Sequence, residues 1–509
     1  MNAPAPATVA EPDRGLHTAR ENIEAVFVAY LMMLLVRCFF IEVFQIPSGS
    51  MESTLSGDAR VVETVEDANE RRKAERVVAG GDRIMAMKYF PAIHGIERYD
   101  VVIFRSPLNR PKVFIKRVVG LPGEQMAILR GNVYARPAGS SGPFTIRRKT
   151  LELQEGIWFP AYWEQQRHPV PPSNFLERED FEHVWELPRD ERVTFAERRL
   201  DLRPVASNET IRFMPRRRIE NDEGDPVDDL MLALAVTPHG PEGSFSLKLE
   251  GAYGAFVLEL SPGQGGTLTH TPSLGAVRSI ALPGAVLTPS KSHRIRLMAY
   301  DGLCRAELDG EVLAEFEFLN EGRSVNPDVV DAEDLVAAGG QIPTTASFAA
   351  RGLAFSLTEL DLRRDIHYCR RRGSYSNVEE GLDRALTLPP DGYLVLGDST
   401  DRSHDCRGWR RYDIALTDGR IVQCETIEVE PLEGTAGGLW IKADIHGNAY
   451  ELKPDQIRST PWPPGTAPQR WPDHAEGGKL IAIPRDNIIG TALCVWWPKK
   501  GGRGFRLIR

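Results

Sequence analysis

Cysteine is scarce in this chain of 509 residues, with six in all: Cys38, Cys304, Cys369, Cys406, Cys424 and Cys494. No two of them stand in C-x-x-C or zinc-finger spacing, and none of the eleven histidines falls in an H-E-x-x-H pattern. Neither a structural zinc site nor a metalloprotease helix is therefore written in the chain, and no metal or cofactor is expected. The thiols are too far apart for sequence to pair them, and they read as buried or lone thiols. Positive charge is also in short supply. The 62 basic against 71 acidic residues leave a net charge of −9, which lacks the basic excess a nucleic-acid partner requires. Internal repeats are missing as well.

What is present suits a β-rich globular protein. Hydrophobic residues make up 42% of the chain, enough to bury a real core. The 45 glycines and 37 prolines punctuate it often, which favours strands and turns over long helices. The length suggests about three domains.

One long apolar run occurs, unbroken from Ala25 to Val36 and resuming after Arg37. Counted from Ala25 to Phe44 it covers 20 positions with two charges, close to the about 20 apolar residues of a membrane-spanning helix. Arg14 and Arg20 flank its N-terminal side, which favours a cytoplasmic N-terminus. The run is expected to be a transmembrane anchor. A cleaved signal peptide fits less well, since no small-x-small site follows before Pro47. An interfacial or buried helix is the remaining reading.

Beyond the run the chain alternates. Residues 65–76 are mixed in charge and free of glycine, and read as a short exposed helix or a loose insert. Val101–Phe104 and Val113–Val119 read as strands, the second ending in Gly120-Leu-Pro-Gly123. Residues 244–318 carry alternating runs separated by Asp301-Gly302 and Asp309-Gly310. Asp-Gly between such runs signals a hairpin, and with 353–362 the segment reads as an antiparallel β-sandwich.

Two serines two apart, Ser48 and Ser50, flank Gly49 directly after the apolar run. A serine nucleophile needs a base. No G-x-S-x-G elbow surrounds Ser50, and the histidines form no recognisable triad with it. A lysine can serve if an apolar pocket keeps it neutral. Lys116 sits between Val113-Phe-Ile115 and Val118-Val119, with Arg117 on the opposite face of the strand by alternation. Taken alone, a strand lysine is more often a surface residue.

Its company changes that reading. Pro47-Ser-Gly-Ser-Met51, Tyr99-Asp-Val-Val-Ile-Phe104, Lys116-Arg-Val-Val-Gly-Leu-Pro-Gly123 and Gly397-Asp398 with Ser403, Asp405 and Arg407 follow one another in this order. Together they resemble the type I signal peptidases, membrane-bound Ser/Lys proteases of bacteria. The resemblance covers about residues 20–56, 80–135, 385–410 and 478–498. The loop Ser399–Arg402 departs from the family pattern, as do Glu52 and Ser53.

The resemblance implies that Ser50 attacks the scissile carbonyl and that Lys116 is its base. It implies that Ser48 and the Ser50 backbone N–H form the oxyanion hole, that Ser403 orients the lysine, and that Asp405 and Arg407 pair to shape their loop. Asp398 reads as a turn or cap residue, and His404 as a bystander. The implied fold is mainly β: a coiled antiparallel catalytic sheet with an N-terminal transmembrane helix, an inserted β-sandwich and a second small β insert. The expected boundaries are 1–22 for a tail, 23–44 for the anchor, 45–138, 386–410 and 478–509 for the catalytic core, 139–385 for the inserted domain, and 411–477 for the small insert.

The implied function is removal of signal peptides from exported pre-proteins after small residues at −1 and −3. It would act in the inner (cytoplasmic) membrane, in contact with lipid, with the catalytic domain extracytoplasmic. The sandwich would take an unidentified ligand. The alternative is a membrane-anchored binding protein with a degenerate peptidase core and a ligand-binding sandwich.

Overall fold

A computed structural model describes residues 14–161, 181–319, 332–369, 378–424, 428–459, 482–497 and 505–508, apart from short stretches within these ranges. Residues 1–13 of the expected tail at 1–22, Ser53, Asp401, Arg402 and the Pro461–Pro464 run lie outside the described residues, while 14–22 of that tail belong to the helix Arg14–Phe39.

Alternation and turn chemistry make this a β protein. One eight-stranded sheet draws on three parts of the chain. Its strands run in the order Ile41–Gln45, Arg83–Met87, Ile488–Trp497, Val101–Arg105, Val113–Gly120, Gly392–Leu396, Ile483–Pro484, with Arg506–Leu507 added beside Ile488–Trp497. The late strand Ile488–Trp497 thus lies inside a sheet begun by Ile41–Gln45. Val101–Phe104 are buried without a break, and so are Lys116–Gly120, because both strands are covered on both faces. Ile46, Met51, Leu55, Ile84, Val101, Ile103 and Val495 fill one core, and Val102, Phe104, Val118, Val395 and Trp409 belong to another. A four-stranded ribbon that includes Glu124–Leu129 and Asn132–Pro137 adds Met126, Ile128 and Val133 to the second core.

Between Pro137 and Leu386 the chain builds a two-sheet sandwich, with eight strands in one sheet and seven in the other. Leu230–Pro238 is central to the first sheet, paired with His293–Tyr300 and Phe355–Arg364. Ser244–Gly251 is central to the second and buries every other side chain. Leu232, Leu234 and Val236 from one sheet meet Phe245, Leu247 and Leu249 from the other in a single core. The turns at Asp301-Gly302 and Asp309-Gly310 have positive φ at all four residues, the backbone form that lets a two-residue hairpin follow strand twist. Two small three-stranded sheets follow between Tyr412 and Ser459. The five described cysteines are buried, and no disulfide joins any of them.

Among the described residues no helix is long and apolar enough to cross a membrane. The helix Arg14–Phe39 has 26 residues, but its unbroken apolar part, Ala25–Val36, has 12. At about 1.5 Å per residue that is roughly 18 Å, against a hydrocarbon layer of about 30 Å. Arg20, Glu21 and Glu24 precede it and Arg37 closes it. The helix does leave apolar side chains such as Val26 and Phe27 exposed. The fold therefore has no transmembrane helix of the expected kind. The inner-membrane, single-pass localisation and the membrane-lipid partner fall with it, and so does membrane-bound removal of signal peptides from pre-proteins. The segment read as a helix or loose insert instead forms a hairpin, Val62–Glu66 with Lys73–Val77.

Candidate active site

Ser50 lies in a single 3-10 turn, Gly49–Met51, just after the edge strand Ile41–Gln45. Apolar anchors fix the turn, since Ile46, Met51 and Leu55 are almost fully buried around it. Glycine is needed behind it: a Cβ on Gly57 would stand 2.1 Å from the Ser48 carbonyl carbon. A neighbouring strand supplies Lys116. The pairing of Val113–Gly120 with Val101–Arg105 sets Lys116 opposite Val102.

Lys116 Nζ donates to Ser50 Oγ at 2.6 Å and to the Ile115 carbonyl at 3.0 Å. Both side chains are buried, and Ser48 Oγ lies 3.4 Å from Ser50 Oγ. Burial pushes the Lys116 ammonium down to about 8, against the upward pull of Asp405 and Asp398. A lysine in that range is neutral often enough near neutral pH to accept a proton.

The loop after Gly392–Leu396 closes over this pair. Val395 and Leu396 stand beside Val118 and Arg117, past an irregularity in register. Ser399 N donates to the Ser50 carbonyl at 3.2 Å. Gly397 has to be glycine, because a Cβ there would lie 2.1 Å from Ser403 Oγ and 2.5 Å from the Ser50 carbonyl oxygen. Asp405 and Arg407 form a buried bidentate ion pair, with Nε to Oδ1 at 2.9 Å and Nη2 to Oδ2 at 2.7 Å. Asp405 Oδ2 also accepts the Gly397 N–H at 2.9 Å. Burial works to raise Asp405, yet Arg407 holds its carboxyl below the usual range. Ser403 is buried in the same loop, and its Oγ is left without a hydrogen bond of normal geometry. It stays near enough to Asp405 to help hold that charge.

The structure thus brings Ser48, Ser50, Lys116, Ser403, Asp405 and Arg407 into one neighbourhood, although Lys116 donates to the Ile115 carbonyl and not to Ser403. It also shows a second set of residues that the sequence reading gave no such role. Arg117 Nε and Nη2 grip Asp398 at 2.9 and 2.8 Å, and Nη2 also donates to Thr54 Oγ1 at 3.0 Å. Thr54 Oγ1 donates to Asp398 Oδ2 at 2.5 Å, and Arg117 Nη1 to the Tyr99 carbonyl at 2.8 Å. Asp398 is therefore a buried ion partner and not merely a turn residue. The sequence offered only that both charges lie within the motifs, Arg117 after Lys116 and Asp398 after Gly397.

Comparison with known proteins bears on the N-terminal part of the chain. The matches place it in a peptidase superfamily. Residues 19–148 match the family described as signal peptidase, peptidase S26, and form a domain of that family. Signal peptidase I of Pseudomonas aeruginosa is 34% identical over 135 residues, 25% of this chain and 43% of that protein. Signal peptidase I of Pseudomonas fluorescens is 36% identical over 100 residues, 19% of this chain and 31% of that protein. The chain thus spans less than half the length of these relatives. Among solved structures, a carbohydrate binding module from Bacillus subtilis is similar over 32% of this chain and 86% of its own, with 10% identity and a TM-score of 0.23. A likeness that weak carries no argument about function.

Proposed function

We propose that the chain is a serine peptidase of the Ser/Lys type, centred on Ser50 and Lys116, with the inserted sandwich as a second module. The observation that supports it most is the 2.6 Å contact between Lys116 Nζ and Ser50 Oγ, both out of solvent. Neutral Lys116 takes the Ser50 hydroxyl proton as Oγ attacks a peptide carbonyl. The tetrahedral oxyanion is met by the Ser48 hydroxyl and the Ser50 N–H. Lys116 returns the proton to the leaving amine, and an ester to Ser50 remains. The same lysine then deprotonates the water that splits the ester. The Ile115 carbonyl holds the lysine amine beside Ser50, and the Asp405–Arg407 pair shapes the loop that closes over it.

The test is hydrolysis of a peptide library by the full chain. Ser50→Ala abolishes turnover and Lys116→Met lowers it about 10²–10⁴-fold, with folding intact. Full activity in Lys116→Met would remove the mechanism.

One observation favours a second reading, a binding protein whose peptidase core has lost catalysis. Ser403 Oγ, expected on the lysine, makes no hydrogen bond of normal geometry, and the sandwich is larger than the catalytic sheet. Steady turnover at Ser50 excludes that reading.

A further inference from the structure

The sandwich is docked on the peptidase domain through a buried charged junction. Lys149 Nζ donates to Asp301 Oδ1 at 2.6 Å and contacts Asp365 Oδ2 at 2.8 Å, while Lys149 N donates to Asp301 Oδ2 at 2.8 Å. Asp301 forms the turn between the sandwich strands His293–Tyr300 and Leu303–Leu308, and Asp365 directly follows Phe355–Arg364. Asp229 closes the group, its Oδ2 accepting the Asp301 N–H at 3.1 Å. The three carboxylates converge, and the cation present among them is the Lys149 ammonium.

On the peptidase side this ammonium faces the Tyr99 ring, 5.5 Å from its centroid. Tyr99 is strained: its φ is +75° in a buried, non-glycine residue. Such a conformation is costly and persists only where the surroundings over-determine it. Here they do. Tyr99 N donates to the Val118 carbonyl at 2.7 Å, and its hydroxyl donates to the Arg147 carbonyl. Its own carbonyl accepts Arg117 Nη1 at 2.8 Å. Arg117 is the chain neighbour of Lys116 and holds Thr54 and Asp398, the ties between the serine turn and the closing loop. One buried line of contacts therefore runs from the sandwich turn to the residue beside the base.

We propose that Asp301 of the sandwich is a positioning residue for the Ser50–Lys116 pair, acting through Lys149, the left-handed Tyr99 and Arg117. The inference rests on the Ser/Lys reading above and ties one turn of the sandwich, at Asp301, to the catalytic pair. A contact that only held two modules together would have no need of a strained residue whose carbonyl is committed to Arg117.

The experiment labels Ser50 in the full-length chain with a small fluorophosphonate probe. It measures the limiting labelling rate and the probe concentration at half-saturation. Asp301→Asn and Tyr99→Leu, which removes the ring that faces Lys149, are each expected to slow the limiting rate about tenfold with half-saturation unchanged. Asp309→Asn serves as control. It removes a carboxylate held by His293 Nδ1 at 2.8 Å elsewhere in the sandwich, and should leave the rate as it is. If the wild type labels and both junction variants label at its rate, the proposal is overturned. Equal slowing in Asp309→Asn would also overturn it, since sandwich stability alone would then be at work. If Asp301→Asn does not fold, Tyr99→Leu decides. A wild type that never labels at Ser50 overturns the Ser/Lys reading itself, and this inference with it.

Discussion

Arg117 grips both carboxylate oxygens of Asp398, 281 residues further on, and both side chains are wholly buried. The pair holds the strand that carries Lys116 against the loop that covers Ser50. Removing one partner leaves an uncompensated buried charge. Asp398→Asn or Arg117→Met is expected to cost about 3–5 kcal/mol of stability, while replacing both with apolar residues costs less. Denaturant unfolding of the two single variants and the double variant checks this.

Gly397 is a steric prediction. Its Cα faces the Ser50 carbonyl and Ser403 Oγ too closely for a Cβ. Gly397→Ala is expected to shift the serine turn, costing about 1–3 kcal/mol as overpacked sites do, and to lower turnover. Peptide hydrolysis and thermal unfolding read the two effects separately. An unchanged rate would mean that the closing loop does not set the position of Ser50.

Ser48 lies beside the nucleophile. Ser48→Ala is expected to lower kcat about 10²–10³-fold, the usual loss of one oxyanion donor, with KM nearly unchanged. A rise in KM alone would assign Ser48 to substrate binding.

Lys116 also gives stability a pH dependence. Its value falls from 10.5 in the free side chain to about 8 when folded. Between those values the unfolded chain binds more protons, so stability rises as pH climbs through this window and is lower below it. Lys116→Met is expected to remove that slope, worth roughly 3 kcal/mol over the window. Denaturant midpoints at pH 7 and pH 10 in both proteins measure it.

The parts of the fold that were legible in sequence are those written locally. A short apolar run gave Val101–Phe104, alternation gave Val113–Val119, and the Asp-Gly pairs gave the hairpins at 301–302 and 309–310. The serine and the lysine stood out because each sits in a short apolar frame. Long-range partners were not legible. Nothing near Arg117 announces that its carboxylate partner is Asp398, or that a sandwich aspartate, Asp301, lies behind Tyr99. The insertion of Ile488–Trp497 into the middle of the sheet is likewise a matter of topology that no local pattern encodes. Two misreadings have plain causes. The apolar run continues past Arg37 to Phe44, whereas the helix ends at Phe39. The charged segment near residues 62–77 has too few apolar residues for its period to tell a hairpin from a helix.

The most direct test is the pH dependence of Ser50 acylation in the wild type and in Lys116→Met. The account predicts covalent labelling at Ser50 whose rate rises as pH passes through about 8, because only the neutral lysine can accept the proton. Lys116→Met should show almost no labelling at any pH. Labelling of Ser50 at the same rate and with the same pH profile in both proteins would contradict it.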